Sequence, residues 1–270
     1  MGLCPGSGLA QEASITRRHH PWGCFAPGAW KLVRVVTETL DEKGAVTNTS
    51  TTETKTALVK VEEDGVTLRI EVQVEVAGKR FEAEPQTVKQ DFHGVLASQK
   101  VKAKDLPASH VVIEGQKIPC KVRQLEYADT TSKTLMKIYY SDQVTPYVLK
   151  RESVTTDPEG KTTLSETSMQ VVALNMPCKV LAEIKTAAHI KAVNKHAKGT
   201  TSTLAVISPE VPGGVIGHTS KEVDAAGRPI RRSALELIDY GLEPDSNRPG
   251  LLRRVRPGRH RNKSGRHTMP

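Results

Sequence analysis

Residues 66–76 read VTLRIEVQVEV, and their reading decides the fold. Val66, Leu68, Ile70, Val72, Val74 and Val76 alternate with Thr67, Arg69, Glu71, Gln73 and Glu75. Successive side chains of a strand point to opposite faces, so this period of two predicts a β-strand with one dry and one wet face. The β-branched residues suit a pleated backbone. At ~3.3 Å per residue the strand would span roughly 36 Å. Ala77-Gly78-Lys79 then supplies a turn, and Arg80 to Phe92 returns as the partner strand.

Working outward, the same pairing of strand and turn recurs. DPEG (157–160) and DAAG (224–227) each follow a serine by sixteen residues, Ser141 and Ser208, and the matched positions are offset by 67. DEKG (41–44) closes a third stretch of this kind. Asp opens a tight turn by bonding forward to the backbone, and Gly accepts the positive φ that closes it. Each repeated unit reads as a four-strand meander. Its first strand follows PCKV and its second ends at Ser141 or Ser208. A Pro-containing corner comes next, at Val144-Thr145-Pro146 or Val211-Pro212-Gly213. Trp30 to Leu40 and Ala45 to Glu62 form a further hairpin around DEKG.

Two segments also fit amphipathic helices, 179–198 and 231–240, but their alignment with the preceding unit favours strands. SQKVKAKDLPA (98–108) is polar, rich in lysine and interrupted by Pro107, which predicts a loop. The expected organisation is therefore a disordered leader over 1–20, N-terminal β hairpins over 21–95, duplicated four-strand units over 109–243 and a disordered basic tail over 244–270. The fold class is all-β: curved antiparallel sheet built from repeated hairpin and meander units, with room for one or two short helices.

Composition narrows the function. Aromatic residues make up 4% of the 270, too few for a surface that stacks single-stranded nucleic acid. The net charge of +9 is mostly the tail: Asp245 to Pro270 alone carries +7. Such a tail gives salt-dependent, sequence-independent affinity for phosphate, so weak nucleic-acid binding is one reading of it. No run of apolar residues reaches the length of a membrane-spanning helix. GLA followed by QEAS resembles the end of a secretory signal cleaved after Ala10, which predicts an exported or periplasmic protein with a truncated start; a plain leader is the other reading. Asn48-Thr49-Ser50 matches a glycosylation sequon, a common triplet.

No catalytic constellation emerges. Ser141-Asp142 lacks a G-x-S-x-G elbow, and its twin Ser208-Pro209 lacks the Asp, so both serines read as structural. His19-His20 precede Pro21-Trp22 and read as an exposed leader rather than a metal site. His93, beside Asp91 and Gly94, reads as a loop histidine. Cys120 and Cys178, in the twin contexts IPCKV and MPCKV, read as two buried small residues, with a disulfide between them left open. Cys4 and Cys24 complete the set, and none has metal-ligand spacing. No cofactor motif and no metal motif is present.

HPWGCFAPGAWKLVRVVTETLDEKG (20–44) and SPEVPGGVIGHTSKEVDAAGR (208–228) each run through a strand to a D-x-x-G turn, the second from an S-x-x-V-P corner. In this they resemble bacterial β-rich families of unknown function that are grouped with the LolA-like lipoprotein carrier fold. The resemblance runs over residues 20–241. It implies a strongly curved antiparallel half-barrel with an apolar concave side. The expectation is a non-enzymatic β protein with a binding or structural role in the cell envelope, holding an apolar small molecule or lipid. The alternatives are an enzyme whose site is assembled from loops, drawing on His93, Asp91 or Ser141, and nucleic-acid binding through the tail.

Overall fold

The computed structural model describes residues 15–95 and 100–243. The chain opens with a 3-10 turn, Arg17–His19. Fourteen strands follow. The first five are β1 (Trp30–Leu40), β2 (Val46–Val61), β3 (Gly65–Val76), β4 (Lys79–Glu82) and β5 (Gln86–Asp91). The next five are β6 (Val101–Ile113), β7 (Gln116–Ala128), β8 (Lys133–Tyr140), β9 (Val148–Thr156) and β10 (Thr163–Val180). The last four are β11 (Glu183–His196), β12 (Gly199–Ile207), β13 (Val215–Asp224) and β14 (Pro229–Gly241). The fold is all-β, a single open antiparallel sheet of 14 strands.

The order is β4-β3-β2-β1-β14-β13-β12-β11-β10-β9-β8-β7-β6, with β5 also paired to β3. From β6 to β14 the chain is a continuous meander. β14 then pairs with β1, Trp30 opposite Gly241, which joins the end of the meander to the first strand of the chain. The two repeated units occupy β7–β10 and β11–β14. Both segments that also fitted helices are strands, β11 and β14, because each is held on both sides by antiparallel neighbours.

The D-x-x-G turns are four, not three. Gly44, Gly94, Gly160 and Gly227 each donate their N–H to the carbonyl of the Asp three residues back at 3.0 Å. All four glycines have φ between 74° and 84°, where any Cβ is strained. The turn unread in the sequence is Asp91-Phe92-His93-Gly94.

The return from β3 is broken in two. β4 pairs with Gln73–Val76 and β5 with Gly65–Ile70. Pro85 lies in the break, and proline cannot donate to a ladder. The alternation of β3 holds only in its first half: Val66 and Leu68 are buried, but Ile70 to Val76 are only half-buried or, at Gln73, buried from the other face. The strand outruns the core that dries it.

Three expectations need correction. Residues 101–108 are not a loop but the start of β6, paired to β7 from Val101 opposite Tyr127 onward. β6 is an edge strand, largely exposed, and its register shifts between Leu106 and Ser109, at Pro107. Lysines and a bulged proline are what an edge strand tolerates. Cys120 and Cys178 are not equivalent: Cys120 is buried within β7, whereas Cys178 is half-buried near the end of β10, and both are free thiols. In the third unit PCKV lies at the end of β10, ahead of a two-residue turn at Leu181 and the whole of β11, which accounts for its greater distance from Ser208. His19 and His20 are not exposed; they are 7% and 4% accessible.

Leu58, Val66 and Leu68 of β2 and β3 share one apolar cluster with Leu125, Ile138 and Tyr140 of β7 and β8. These strands lie far apart in the sheet order, so the sheet curls until its two ends face each other. Ile15 and Trp22, from the segment before β1, lie in that same cluster. The segment is the wedge between the ends of the curled sheet.

Candidate functional site

The two Pro-containing corners are copies in structure as in sequence. Ser141 donates its N–H to Tyr147 O and Ser208 to Gly214 O, both at 2.8 Å. Ser141 Oγ accepts the Gln143 N–H at 3.4 Å, and Ser208 Oγ accepts the Glu210 N–H at 3.3 Å. Both serines are buried. Their hydroxyls hold the corners.

The copies differ in the next residue, and that difference anchors the wedge. Asp142 receives Arg18, His19 and Lys121 together. His19 Nδ1 faces the Thr16 N–H at 3.0 Å, so Nε2 carries the proton to Asp142 Oδ1, also 3.0 Å away. The His19 ring stands edge-on to Tyr140 and Tyr147. Burial pushes the Asp142 carboxyl up, but bonds from His19 and Lys121 and the charge of Arg18 together hold it below its ordinary value. At the second corner Trp22 fills the groove beside Gly213. A Cβ on Gly213, at φ 70°, would sit 2.7 Å from the indole. Lys31 Nζ donates to Gly213 O at 3.2 Å, and burial lowers its pKa to about 8.

Between wedge and corners lies a cavity of about 350 Å³. Its floor crosses four adjacent strands at Arg151 (β9), Met169 (β10), Ile190 (β11) and Ile207 (β12). Arg151 and Met169 are direct partners across the ladder. Pro146 and Gly214 form part of the rim, and Arg18, His20, Cys24 and Phe25 form the roof. The wall is mostly apolar, the character of pockets that take small ligands.

Four basic side chains line this cavity, and three are committed elsewhere, His19 to Asp142 among them. Arg18 is paired with Asp142. His20 accepts the Trp22 N–H and bonds Gln90; burial, then the charge of Arg151, lowers its pKa to about 4. Arg151 makes no hydrogen bond or ion pair with any described residue, and its Nε is fully buried. Asp91 lies near enough to feel its charge. That carboxylate is already engaged, with the His93 and Val95 N–H groups on Oδ1 and His93 Nδ1 on Oδ2. Burial works against Arg151's charge and lowers its pKa.

Arg151 escaped the sequence reading, which assigned charges on strands to the wet face. A signal was there. It has the parity of buried Leu149, and 67 residues on His218 stands in the same relation to buried Ile216. The structure pairs Asp91 with His93 but brings neither, nor Ser141, into the cavity wall. The tail 245–270, the proposed cleavage site at Ala10 and Cys4 lie outside the described residues. Among the described residues, no helix is long and apolar enough to cross a membrane.

No family model matches the chain, and no curated protein does. Among solved structures it is similar to a protein of Bacteroides fragilis provisionally described as exported, with a YmcC-like fold. Identity there is 9%, over 80% of this chain and 97% of that one, and the TM-score is 0.31. A provisionally described lipoprotein of Parabacteroides distasonis gives 13% identity over 80% and 97%, with a TM-score of 0.29. The Pseudomonas aeruginosa MucA/MucB complex gives 13% over 77% and 88%, with a TM-score of 0.18.

Proposed function

We propose that this is a non-catalytic binding protein of the cell envelope that holds an apolar chain in the cavity between wedge and corners. The observation that carries the reading is the cavity itself: a floor across four strands, apolar on three of them, roofed by a segment that the fold fixes at both corners. The resemblance of residues 20–44 and 208–228 to the families grouped with lipoprotein carriers supplies the envelope setting and the half-barrel analogy. Burying each methylene of a bound chain contributes about 0.8 kcal/mol, so affinity should rise roughly fourfold per carbon until the cavity is full.

The test uses N-phenyl-1-naphthylamine, a neutral apolar dye that brightens in a dry site. The wild type should bind it saturably. Ile207→Trp places a larger side chain on the cavity floor and should weaken binding by about tenfold or more. Overpacking costs about 1–3 kcal/mol, so a thermal melt must show that the variant is folded. Failure of the wild type to bind, or undiminished binding by a folded Ile207→Trp, contradicts the reading.

A further inference from the structure

An apolar cavity that serves only an apolar chain has no use for a guanidinium in its floor. Burying a charge is costly unless a counter-charge and hydrogen bonds compensate it. Buried arginines are accordingly paired, and the planar fork of five N–H donors fits a carboxylate or phosphate in bidentate fashion. Arg151 is half-buried with its Nε fully enclosed, and among the described residues that Nε has no hydrogen-bond partner. It stands opposite Met169, between the apolar rows of β9 and β10, where an aliphatic residue would pack without penalty. Gly94 packs beside it: a Cβ there would lie 3.4 Å from Arg151 Nη1, in ordinary contact. The nearest acid, Asp91, has both oxygens engaged by its own turn. The other basic groups of the wall are held by Asp142 and by Gln90.

We infer that the occupant is an anionic amphiphile, whose acid group is received by Arg151 while its hydrocarbon chain runs over Met169, Ile190 and Ile207. The inference rests on the binding reading above and names the class of ligand. Fatty acids and the phosphate end of a lipid share this chemistry; the arginine sets the polarity of the ligand, and the strands set its apolar length.

The experiment compares dodecanoate with dodecan-1-ol by calorimetry, on the wild type and on Arg151→Met. Inorganic phosphate, acetate and dodecyl phosphate are run beside them. A charge-assisted pair in a dry site is worth about a 10- to 100-fold preference. The wild type should therefore favour dodecanoate or dodecyl phosphate over the alcohol by that factor, and the better of the two identifies the headgroup. Arg151→Met should lose the preference and bind acid and alcohol alike, and Arg151→Lys should restore part of it. Equal binding of acid and alcohol by the wild type overturns the inference but leaves the apolar reading standing. Absence of binding by the alcohol and both acids removes both. Phosphate or acetate binding as tightly as the twelve-carbon ligands overturns the inference in favour of a plain anion site. Should Arg151→Met fail to fold, the wild-type comparison and Arg151→Lys still decide.

Discussion

Trp22→Ala is expected to lower the unfolding free energy by about 3–5 kcal/mol, the range for removing a buried indole. Trp22 is 5% accessible and lies before the first strand, where a fraying terminus would ordinarily cost little. Here it belongs to the cluster that joins β2 and β3 to β7 and β8. Its ring also fills the groove that Gly213 leaves open and lies under the Lys31 ammonium at 5.8 Å. Loss of the ring therefore loosens both ends of the curled sheet and one corner of the cavity. Urea denaturation of the folded variant measures the effect. A loss below about 1 kcal/mol, within the scatter of surface substitutions, would mean that the segment lies on the sheet without wedging it.

Acid should unfold the protein earlier than its carboxylates require. His20 is 4% accessible and has its pKa lowered from 6.5 to about 4, by burial first and by the Arg151 charge second. The unfolded chain then takes up a proton at pH values where the native one does not. Stability is complete above about pH 6.5 and falls as pH drops toward 4, by about 3 kcal/mol for His20 alone. Burial lowers His218 in the same direction, which adds to the slope. Asp91 and Asp142 are held below their ordinary values, so their share is lost only at lower pH, as protonation releases their native bonds. In His20→Gln most of the slope between pH 6.5 and 4 should vanish while the loss below pH 4 remains. Chemical denaturation at half-unit pH steps reads both. An unchanged slope in the variant contradicts the assignment of this transition to His20.

These two residues also mark where the sequence was legible and where it was not. β1, β2 and β3 fall within a residue of their expected bounds, because β3 alternates strictly in sequence and the positive-φ glycines Gly44 and Gly78 mark the turns after β1 and β3. The 67-residue repeat located both corners, since Ser and Pro there answer to local backbone geometry. The wedge was different. His19, His20 and Trp22 carry no period, only a single 3-10 turn, and their burial comes from elements distant in sequence, from Leu58 and Phe92 to Tyr140 and Gly213. β6 was hidden for the opposite reason: an exposed edge strand needs lysines and tolerates proline, and both read as loop. Arg151 was legible in parity but not in chemistry. Its alternation places it beside Leu149, whereas its lack of a partner among the described residues is a property of the assembled cavity.

Occupancy of that cavity is read most directly at Cys24, which lines the roof and is exposed as a free thiol. The rate of its alkylation by iodoacetamide, followed by peptide mass spectrometry with and without saturating dodecanoate, is the decisive measurement. A chain lying between wedge and corners should slow Cys24 by about tenfold or more, on the burial expected of a pocketed ligand, and leave Cys178 unaffected. Equal rates at Cys24 under calorimetrically confirmed saturation would place the bound chain elsewhere and contradict the account.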